Sequence, residues 1–327
     1  MEAAPEVSVV VPSHGRPLRL RWLLNALEET ELDRGRWEVV VVHDDAGDET
    51  ERLLRDHPLA RDATLRHRRL EPGTGSPARQ RNVGWREAHA PLVAFTDDDC
   101  RPPATWLPRL LAAALTHPGA VVQGAVRPDP DEAHLLHAAP HARSLTVDPP
   151  GPFGESANVL YPRELLERIG GFEERFPAAA GEDTDLLLRA RAAGAEHVGA
   201  PTALTFHAVD APGLLGRLRS LPRWRHVVKV VRANPEMRGV LTFGVFFKPS
   251  HAGLPGVLAA LPALARRRPG LAALLALPWA LTAAPRYGLG PRGIARSASE
   301  LPGRLVLDVA EAAVLVRGSV EERTLVL

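Results

Sequence analysis

The feature that most constrains the fold is the alternation of short β-branched runs with helical patterns in the first 130 residues. Residues 7–11 (VSVVV) and 37–42 (WEVVVV) are nearly continuous apolar runs, as expected for strands that are buried on both faces. Between them, Pro17 begins a segment whose leucines recur at helical spacing. This strand–helix–strand unit predicts an α/β fold with a mostly parallel sheet and crossover helices.

Further segments continue this pattern. Residues 63–70 (ATLRHRRL), 92–95 (LVAF) and 120–126 (AVVQGAV) indicate strands, and residues 78–89 (ARQRNVGWREAH) indicate a helix. The first strand is not followed by G-x-G-x-x-G, and the chain has no G-x-x-x-x-G-K-[ST]. A dinucleotide-dependent dehydrogenase and a P-loop NTPase are therefore disfavoured.

Charge is divided unevenly along the chain. Residues 211–327 contain 17 Lys and Arg against 6 Asp and Glu, a net charge of +11, whereas residues 1–210 contain 23 against 33, a net charge of −10. An acidic first part suits metal binding, and a basic, apolar second part suits an anionic membrane surface. Nucleic acid is disfavoured as a partner, because the arginines alternate with Leu, Ala and Pro and aromatic residues are only 5% of the chain.

Cysteine content and the first residues bear on location. The only cysteine is Cys100, so no intramolecular disulfide can form, and we expect Cys100 to serve packing alone. The start of the chain, MEAAPEV, lacks the basic region and the long apolar core of a secretory signal. We therefore expect a cytoplasmic protein, with peripheral attachment to the inner face of the cell membrane left open.

Three aspartates, Asp97–Asp99, directly follow the apolar run LVAF. Ligands of open α/β sheets lie at the carboxyl ends of strands, and in an extended segment Asp97 and Asp99 would point to one side. Converging carboxylates bind Mg²⁺ or Mn²⁺, which bridge to substrate phosphates. The sequence thus predicts a metal–diphosphate site. The alternative is a solvated loop or a cap of the next helix, although Thr105 is itself a suitable cap.

Six segments in order resemble glycosyltransferase family 2. They are VSVVVPSHGR, VVHDDAGDE, GSPARQRNVGW, AFTDDDCRPP, ANVLYPRELLERIGGF and GEDTDLLLRARAAG, which together extend over about residues 5–210. Each segment is weak alone, but six in this order are specific. The resemblance implies the GT-A fold, a mixed, mostly parallel α/β sheet with flanking helices. We expect this domain at residues 1–235 and a helical region at residues 236–327.

The resemblance implies which residues bind the donor, a nucleotide-diphospho-sugar. Pro12 and Ser13 border the nucleotide, Asp45 contacts the base, and Arg81 lies near the diphosphate, with Arg79 as a weaker candidate. The alternative for Asp45 is ordinary turn chemistry, and the alternative for Arg81 is a solvent-facing basic helix. The chain departs from the family by having DDAG where DDGS is usual.

The resemblance also implies metal ligands and a catalytic base. The D-x-D pair of the family corresponds to Asp97 and Asp99, which hold the metal and the sugar nucleotide, and several relatives have a third ligand at the position of His207. Asp183 is the implied general base for the acceptor hydroxyl, with Glu182 on the acceptor side. Alternatively, the two acids stabilise a helix N-terminus, and His207 is a packed or solvated residue.

The activity that the resemblance implies is transfer of a sugar to an acceptor hydroxyl with inversion, dependent on Mg²⁺ or Mn²⁺. Processive synthases of the family carry Q-x-x-R-W, whereas SLPRW here has Ser220 in place of Gln, so we expect non-processive transfer. Two alternatives are a sugar nucleotidylyltransferase, which would need a Gly-rich loop with Lys after the first strand, and a non-catalytic sugar-nucleotide-binding protein, which would be indifferent to Asp183. The acceptor, whether saccharide, lipid-linked or small molecule, stays open.

Two apolar segments near the C-terminus, GLPGVLAALPALA and GLAALLALPWALTAA, flank RRRP. Neither reaches the roughly 20 residues that span a bilayer. We expect two short helices in the interface of an anionic membrane, with Trp279 and Tyr287 near the headgroups, which would fit a lipid-linked or cell-envelope acceptor. The alternative is a helical pair that packs on the catalytic domain or in a dimer. Residues 301–320 predict a final amphipathic helix.

Overall fold

The computed structural model describes residues 4–285 and 287–327 and divides into two compact units. Unit 1 takes in the described chain up to Ala133 together with Ser144–Val209, and unit 2 consists of His134–Arg143 and Asp210–Leu327. Residues 210–235 fall in unit 2 by this division, and the domain boundary after residue 235 stays a prediction. The expectation about a secretory signal rests partly on residues 1–3, which lie outside the described residues.

Unit 1 is built on one sheet, which has eight strands within the described residues. In chain order the strands are β1 (Val7–Ser13), β2 (Trp37–His43), β3 (Leu65–Arg69), β4 (Leu92–Phe95), β5 (Cys100–Arg101), β6 (Val121–Pro128), β7 (Val159–Pro162) and β8 (His197–His207). Their order across the sheet is β3-β2-β1-β4-β7-β6-β8-β5.

The sheet is mixed and mostly parallel, as predicted. β1 pairs in parallel with β2 and β4, β2 with β3, and β6 with β8. β7 is antiparallel to β4 and β6, and β5 is antiparallel to β8. Every residue of β1 and β2 is buried, which explains why their sequences are continuous apolar runs.

Helices connect the strands and make up most of unit 2. They are α1 (Pro17–Glu28), α2 (Glu49–Asp56), α3 (Pro58–Arg61), α4 (Pro77–Glu87), α5 (Trp106–Thr116), α6 (Leu135–Ala138), α7 (Arg163–Ile169), α8 (Glu182–Ala192), α9 (Gly213–Ser220), α10 (Val227–Ala233), α11 (Pro249–Ala265), α12 (Pro269–Ala283) and α13 (Pro291–Glu322). As predicted, α1 begins at Pro17 and buries its regularly spaced leucines in the core under the sheet.

Helix α4 brings polar residues close to the sheet. Its cap is Ser76, whose hydroxyl accepts a hydrogen bond from the Arg79 N–H at 3.2 Å. Gly84 faces β1 so closely that a Cβ there would overlap the Val10 side chain. Because α4 lies this near to β1, its first turns end up beside the carboxyl ends of the central strands, and Arg81 is buried there.

Two local expectations were wrong. Asp98 and Asp99 lie in a turn and not in an extended segment, and the Cys100 N–H closes this turn on the Asp97 carbonyl at 3.0 Å. Thr105 precedes α5, but its side chain makes no capping hydrogen bond. The turn allows β5 to reverse and pair with β8, which an extended continuation of β4 would not permit.

Unit 2 contains a hairpin of α11 and α12 on either side of Arg266–Arg268, which confirms the two predicted short helices. Small residues form the seam between them, since a Cβ at Gly253 or Gly256 would meet the backbone of α12. The final helix, α13, has 32 residues and begins ten residues earlier than predicted. Across the described chain, we find no helix with the length and hydropathy that a membrane span requires.

Trp279 corrects the expectation of an exposed aromatic at the membrane interface. Its side chain is buried, and the indole N–H donates to Asp308 Oδ2 at 3.0 Å. A buried indole needs such a partner, so Trp279 ties α12 to α13. Tyr287 is half-buried and its hydroxyl donates to Glu300 Oε1 at 2.6 Å.

Candidate active site

The polar residues selected from the sequence lie at the carboxyl ends of β1, β2 and β4, which are neighbours in the sheet. Pro12 and Ser13 are the last two residues of β1 and pair with the end of β2. The Ser13 hydroxyl donates to Asp98 Oδ2 at 2.8 Å. The end of β1 is thus bonded to the turn after β4, as expected for the ligand edge of an open α/β sheet.

Asp44 and Asp45, after β2, hold neighbouring loops in place. The buried Asp44 carboxylate accepts hydrogen bonds from the Gly75 N–H and from Gln80 Nε2, both at 3.0 Å. Asp45 accepts from the Gly15 N–H and from the Thr50 hydroxyl, both at 2.5 Å. Both aspartates therefore organise the rim of the site.

A first group of metal-ligand type is His14, Asp44 and Asp45, whose ligand atoms lie within 4.8 Å of one another. His14 Nδ1 is 2.7 Å from Asp44 Oδ1. Because each carboxylate here already accepts hydrogen bonds from neighbouring loops, this group is satisfied as a structural network.

A second group consists of Asp97, Asp99 and His207, whose ligand atoms also lie within 4.8 Å of one another. His207 reaches the aspartates because β5 pairs with the end of β8, which sets Cys100 opposite His207. The Ala208 N–H also donates to the Asp99 carbonyl at 3.0 Å. Two carboxylates and an imidazole are donors that suit Mn²⁺ or Mg²⁺.

The hydrogen bonds of His207 leave one ring nitrogen facing Asp99. Its Nδ1 lies 2.9 Å from the Ala208 carbonyl oxygen, and since a carbonyl only accepts, Nδ1 carries the hydrogen. In the neutral ring Nε2 then presents a lone pair, 3.5 Å from Asp99 Oδ1. Two facing lone pairs repel unless a cation or a proton lies between them, so this geometry suits a metal ligand.

Arg16, just after β1, lies on the same aspartates. Its guanidinium is 2.6 Å from Asp98 Oδ1 and also pairs with Asp99. Burial raises the pKa of Asp98 to about 7, against the opposing charge of Arg16. Adjacent aspartates in this turn have different environments, since Asp98 is fully buried and Asp97 is partly exposed.

Arg81 bridges the two acidic parts of the site. Its Nη2 donates to Asp97 Oδ1 at 2.8 Å and its Nη1 donates to Glu182 Oε1 at 3.0 Å. Burial alone would lower the pKa of Arg81, but Asp97 and Glu182 raise it above its ordinary value, so the guanidinium stays charged. Burial raises the pKa of Asp97 and Arg81 lowers it, and the result lies below the usual value.

Glu182 and Asp183 occupy the first turn of α8. Glu182 is buried, and its Oε2 accepts from the Ala180 N–H at 2.8 Å. Asp183 Oδ1 accepts from the Thr184 N–H at 2.9 Å. Burial, and then the charge of Glu182, raise the pKa of Asp183 well above its ordinary range. Asp183 is thus a carboxylate that binds a proton more readily than usual.

Sequence reasoning missed several residues of this site. Arg16 and His14 stand in the segment PSHGR after β1, and their position at a strand end was a signal for both. Gln80 lies between two arginines on α4 and links the Ser13 carbonyl to Asp44. Its role depends on how α4 approaches β1, which no local pattern specifies.

Comparison with known proteins agrees with this architecture. Residues 8–170 match the model of glycosyl transferase family 2. The poly(ribitol-phosphate) β-N-acetylglucosaminyltransferase TarS of Staphylococcus aureus is 32% identical over 92 residues, which is 28% of this chain and 16% of TarS. This chain therefore matches only a small part of the length of that relative.

Solved structures establish the fold. The mannosyltransferase PcManGT from Pyrobaculum calidifontis, in complex with GDP-Man and Mn²⁺, has a TM-score of 0.57 and 22% identity and covers 98% of this chain and 88% of its own. Residues 1–349 of TarS, in complex with UDP-GlcNAc, have a TM-score of 0.54 and 20% identity and cover 70% and 66%. Both share the GT-A fold with this chain. Residues 8–170 of this chain belong to glycosyltransferase family 2.

Proposed function

We propose that the protein transfers a sugar from a nucleotide-diphospho-sugar to an acceptor hydroxyl, with inversion at the anomeric carbon. The observation that carries the proposal is the convergence of Asp97, Asp99 and His207 beside Arg81, which also contacts the acidic start of α8. Metal-ligand donors and a buried cation are what a diphosphate leaving group requires.

The donor side is formed by the ends of β1 and β2. Pro12 and Ser13 border the nucleotide, Asp45 lies where the base would bind, and Arg81 faces the diphosphate together with Asp97. Two structural relatives support a nucleoside diphosphate donor, since one complex contains GDP-Man with Mn²⁺ and the other contains UDP-GlcNAc. The two complexes contain different nucleotides and different sugars, so they do not identify the donor of this protein.

Asp97, Asp99 and His207 would hold Mn²⁺ or Mg²⁺. The metal would neutralise the negative charge of the departing diphosphate. The protein itself orients the ligands, because the Ala208 carbonyl fixes the His207 ring and β5 fixes Asp99. Arg81 adds a permanent positive charge on the same side.

Asp183 is the proposed general base. Its raised pKa, due to burial and to Glu182, suits a group that takes a proton from an alcohol near neutral pH. Once the acceptor hydroxyl loses its proton to Asp183, its oxygen attacks the anomeric carbon opposite the leaving diphosphate. The configuration inverts and no covalent intermediate with the enzyme forms. Ser220 in place of Gln supports non-processive transfer.

We also infer that the protein is cytoplasmic and acts at an anionic membrane surface, since residues 211–327 carry a net charge of +11 and two uncharged apolar helices. Acceptors that are lipid-linked or bound to the cell envelope fit this location.

The first test is calorimetric binding of UDP, GDP, dTDP and CDP, each with Mn²⁺ and with EDTA. We expect one nucleotide to bind only with metal, and Asp99→Asn to abolish this binding. Asp56→Asn, at an exposed aspartate on α2, is the matched control and should bind like the wild type. Nucleotide binding that is indifferent to metal and to Asp99 would contradict the proposal.

The second test separates chemistry from binding. Asp183→Asn should keep nucleotide affinity within a few-fold but lower turnover by about 10²–10⁴, the usual contribution of a general base. The control is Asp185→Asn in the same first turn, where the aspartate pairs with Arg189 at 2.8 Å. If Asp183→Asn and Asp185→Asn lower turnover equally, the two aspartates only stabilise the N-terminus of α8, and Asp183 is not the general base.

A further inference from the structure

The α11–α12 hairpin carries an apolar surface that the fold of unit 2 leaves open. Neither helix contains Asp, Glu, Lys or Arg. We call their exposed leucines the hairpin surface: Leu258, Leu261, Leu264, Leu271, Leu274, Leu277 and Leu281, which are 43–70% exposed. A contiguous run of apolar side chains on two paired helices marks an interaction site rather than scattered surface residues.

These leucines are not needed to hold the hairpin together. Its interior is a cluster of small residues, Ala260, Ala263 and Ala272, with Leu275 packed against them. On the same side of α12, the buried Trp279 also fixes the helix to α13 through its hydrogen bond to Asp308. Packing within unit 2 therefore uses one side of each helix, and the leucines lie on the other.

The charge around the hairpin surface has one sign. Arg266, Arg267 and Arg268 form the turn between the two helices, and all three are exposed. The sequence from residue 249 to residue 299 contains no Asp or Glu. Any partner of this surface must accept leucines and must also supply negative charge, because the hairpin has no acidic group of its own.

We propose that the hairpin surface docks in the interface of a bilayer that contains anionic lipids, with Arg266–Arg268 on the headgroup phosphates and the leucines in the acyl boundary. This inference rests on the membrane association in the proposed function and assigns it to one surface. A symmetric contact with a second copy fits less well, since the two-fold mate would bring leucines and arginines but no carboxylates from this segment.

The helices lie along the membrane and do not cross it. α11 has 17 residues and α12 has 15, which gives about 26 and 23 Å at 1.5 Å per residue. A bilayer core is about 30 Å thick. Prolines at 255, 262 and 278 lie inside the helices and remove backbone N–H donors there, and interfacial water can bind the carbonyl groups that lose their partners.

The experiment is co-sedimentation of the full chain with phosphatidylcholine vesicles, with and without about 30 mol% phosphatidylglycerol. The wild type should bind the anionic vesicles, and this binding should weaken as the salt concentration rises. Arg266→Gln, Arg267→Gln and Arg268→Gln together should weaken binding about 100-fold. Leu258→Gln, Leu261→Gln and Leu274→Gln together should weaken it on the order of 100-fold as well, because three inserted side chains are lost.

Matched controls come from unit 1. Leu115→Gln changes an exposed leucine on α5, 60% exposed, and the triple change Arg52→Gln, Arg55→Gln and Arg168→Gln removes the same charge from exposed helical positions. Both controls should bind anionic vesicles within a few-fold of the wild type. They separate the effect of the hairpin surface from a general loss of charge or hydrophobicity.

Three outcomes would overturn the inference. If the wild type binds vesicles and the hairpin variants bind equally well, membrane association stands but the surface is wrong. If the wild type binds no vesicle, both the membrane association and its assignment to the hairpin surface are wrong. If it binds no vesicle and the leucine variant changes its oligomeric state by light scattering, the surface is a contact between copies. Calorimetric nucleotide binding is independent of all three, so the proposed transferase activity is judged separately.

Discussion

Removing Arg81 tests a buried arrangement in which one cation lies between two carboxylates. The Arg81 side chain is 5% exposed and lies between Asp97, 25% exposed, and Glu182, 3% exposed. Arg81→Met keeps most of the aliphatic stem but leaves both carboxylates without their shared cation. Loss of one partner from a buried pair costs about 3–5 kcal/mol, because the remaining charge is buried and uncompensated.

The structure places the expected cost near the lower end of that range. Asp97 can recover part of its hydration because a quarter of its side chain is exposed. Glu182 keeps one hydrogen bond, from the Ala180 N–H at 2.8 Å. We therefore expect Arg81→Met to lower the free energy of unfolding by about 3 kcal/mol at pH 7.

Urea denaturation followed by circular dichroism measures this change. The control is Arg79→Met, two residues earlier on the same helix, where the side chain is exposed and donates to the Thr74 carbonyl at 3.1 Å. Arg79→Met should change stability by no more than about 0.5 kcal/mol. A cost below about 1 kcal/mol for Arg81→Met would refute the argument that Arg81 neutralises two buried carboxylates.

Two further predictions concern stability. In unit 2, burial raises the pKa of Glu311, but the hydrogen bond from His251 and the charge of Lys248 outweigh it and hold this pKa at about 2. The Glu311 carboxylate therefore stabilises the fold above its unfolded pKa of 4.5, and this stabilisation is lost as the pH falls toward 2. Glu311→Gln should lower the free energy of unfolding by up to about 3 kcal/mol at pH 7 and by progressively less below pH 4.5. Urea titrations at several pH values measure this difference. In unit 1, the buried Asn158 accepts from the Trp106 indole at 2.8 Å and donates to two carbonyls at 2.7 and 2.8 Å, so Asn158→Ala should lower the thermal midpoint by an amount equivalent to about 3 kcal/mol, and an unchanged midpoint would contradict it.

Much of the first unit follows from local sequence patterns. The β-branched runs at β1 and β2 predict buried parallel strands, and the leucines of α1 predict the helix between them. Because parallel strands end at one edge of the sheet, the residues after β1, β2 and β4 were predictable as neighbours without knowledge of side-chain geometry.

Other features of the site depend on contacts that are distant in sequence. His207 reaches Asp99 only because β5 pairs with β8, more than a hundred residues later. The turn at Asp98–Asp99 makes this pairing feasible, and the expectation of an extended segment was wrong there. Trp279 was misassigned for a related reason, since an apolar helix of uniform composition does not reveal which side packs on α13.

Arg81 connects two acidic motifs that lie far apart in the sequence. Its guanidinium contacts Asp97, a member of the candidate metal cluster, and Glu182, which precedes the candidate base. A cation placed on Asp97 would draw charge away from this pair, and the field on Glu182 and Asp183 would change with it. Because the Arg81 charge lowers the pKa of Asp183, a metal ion on Asp97 would lower that pKa further, so metal binding at Asp97 and protonation of Asp183 would be linked through one side chain.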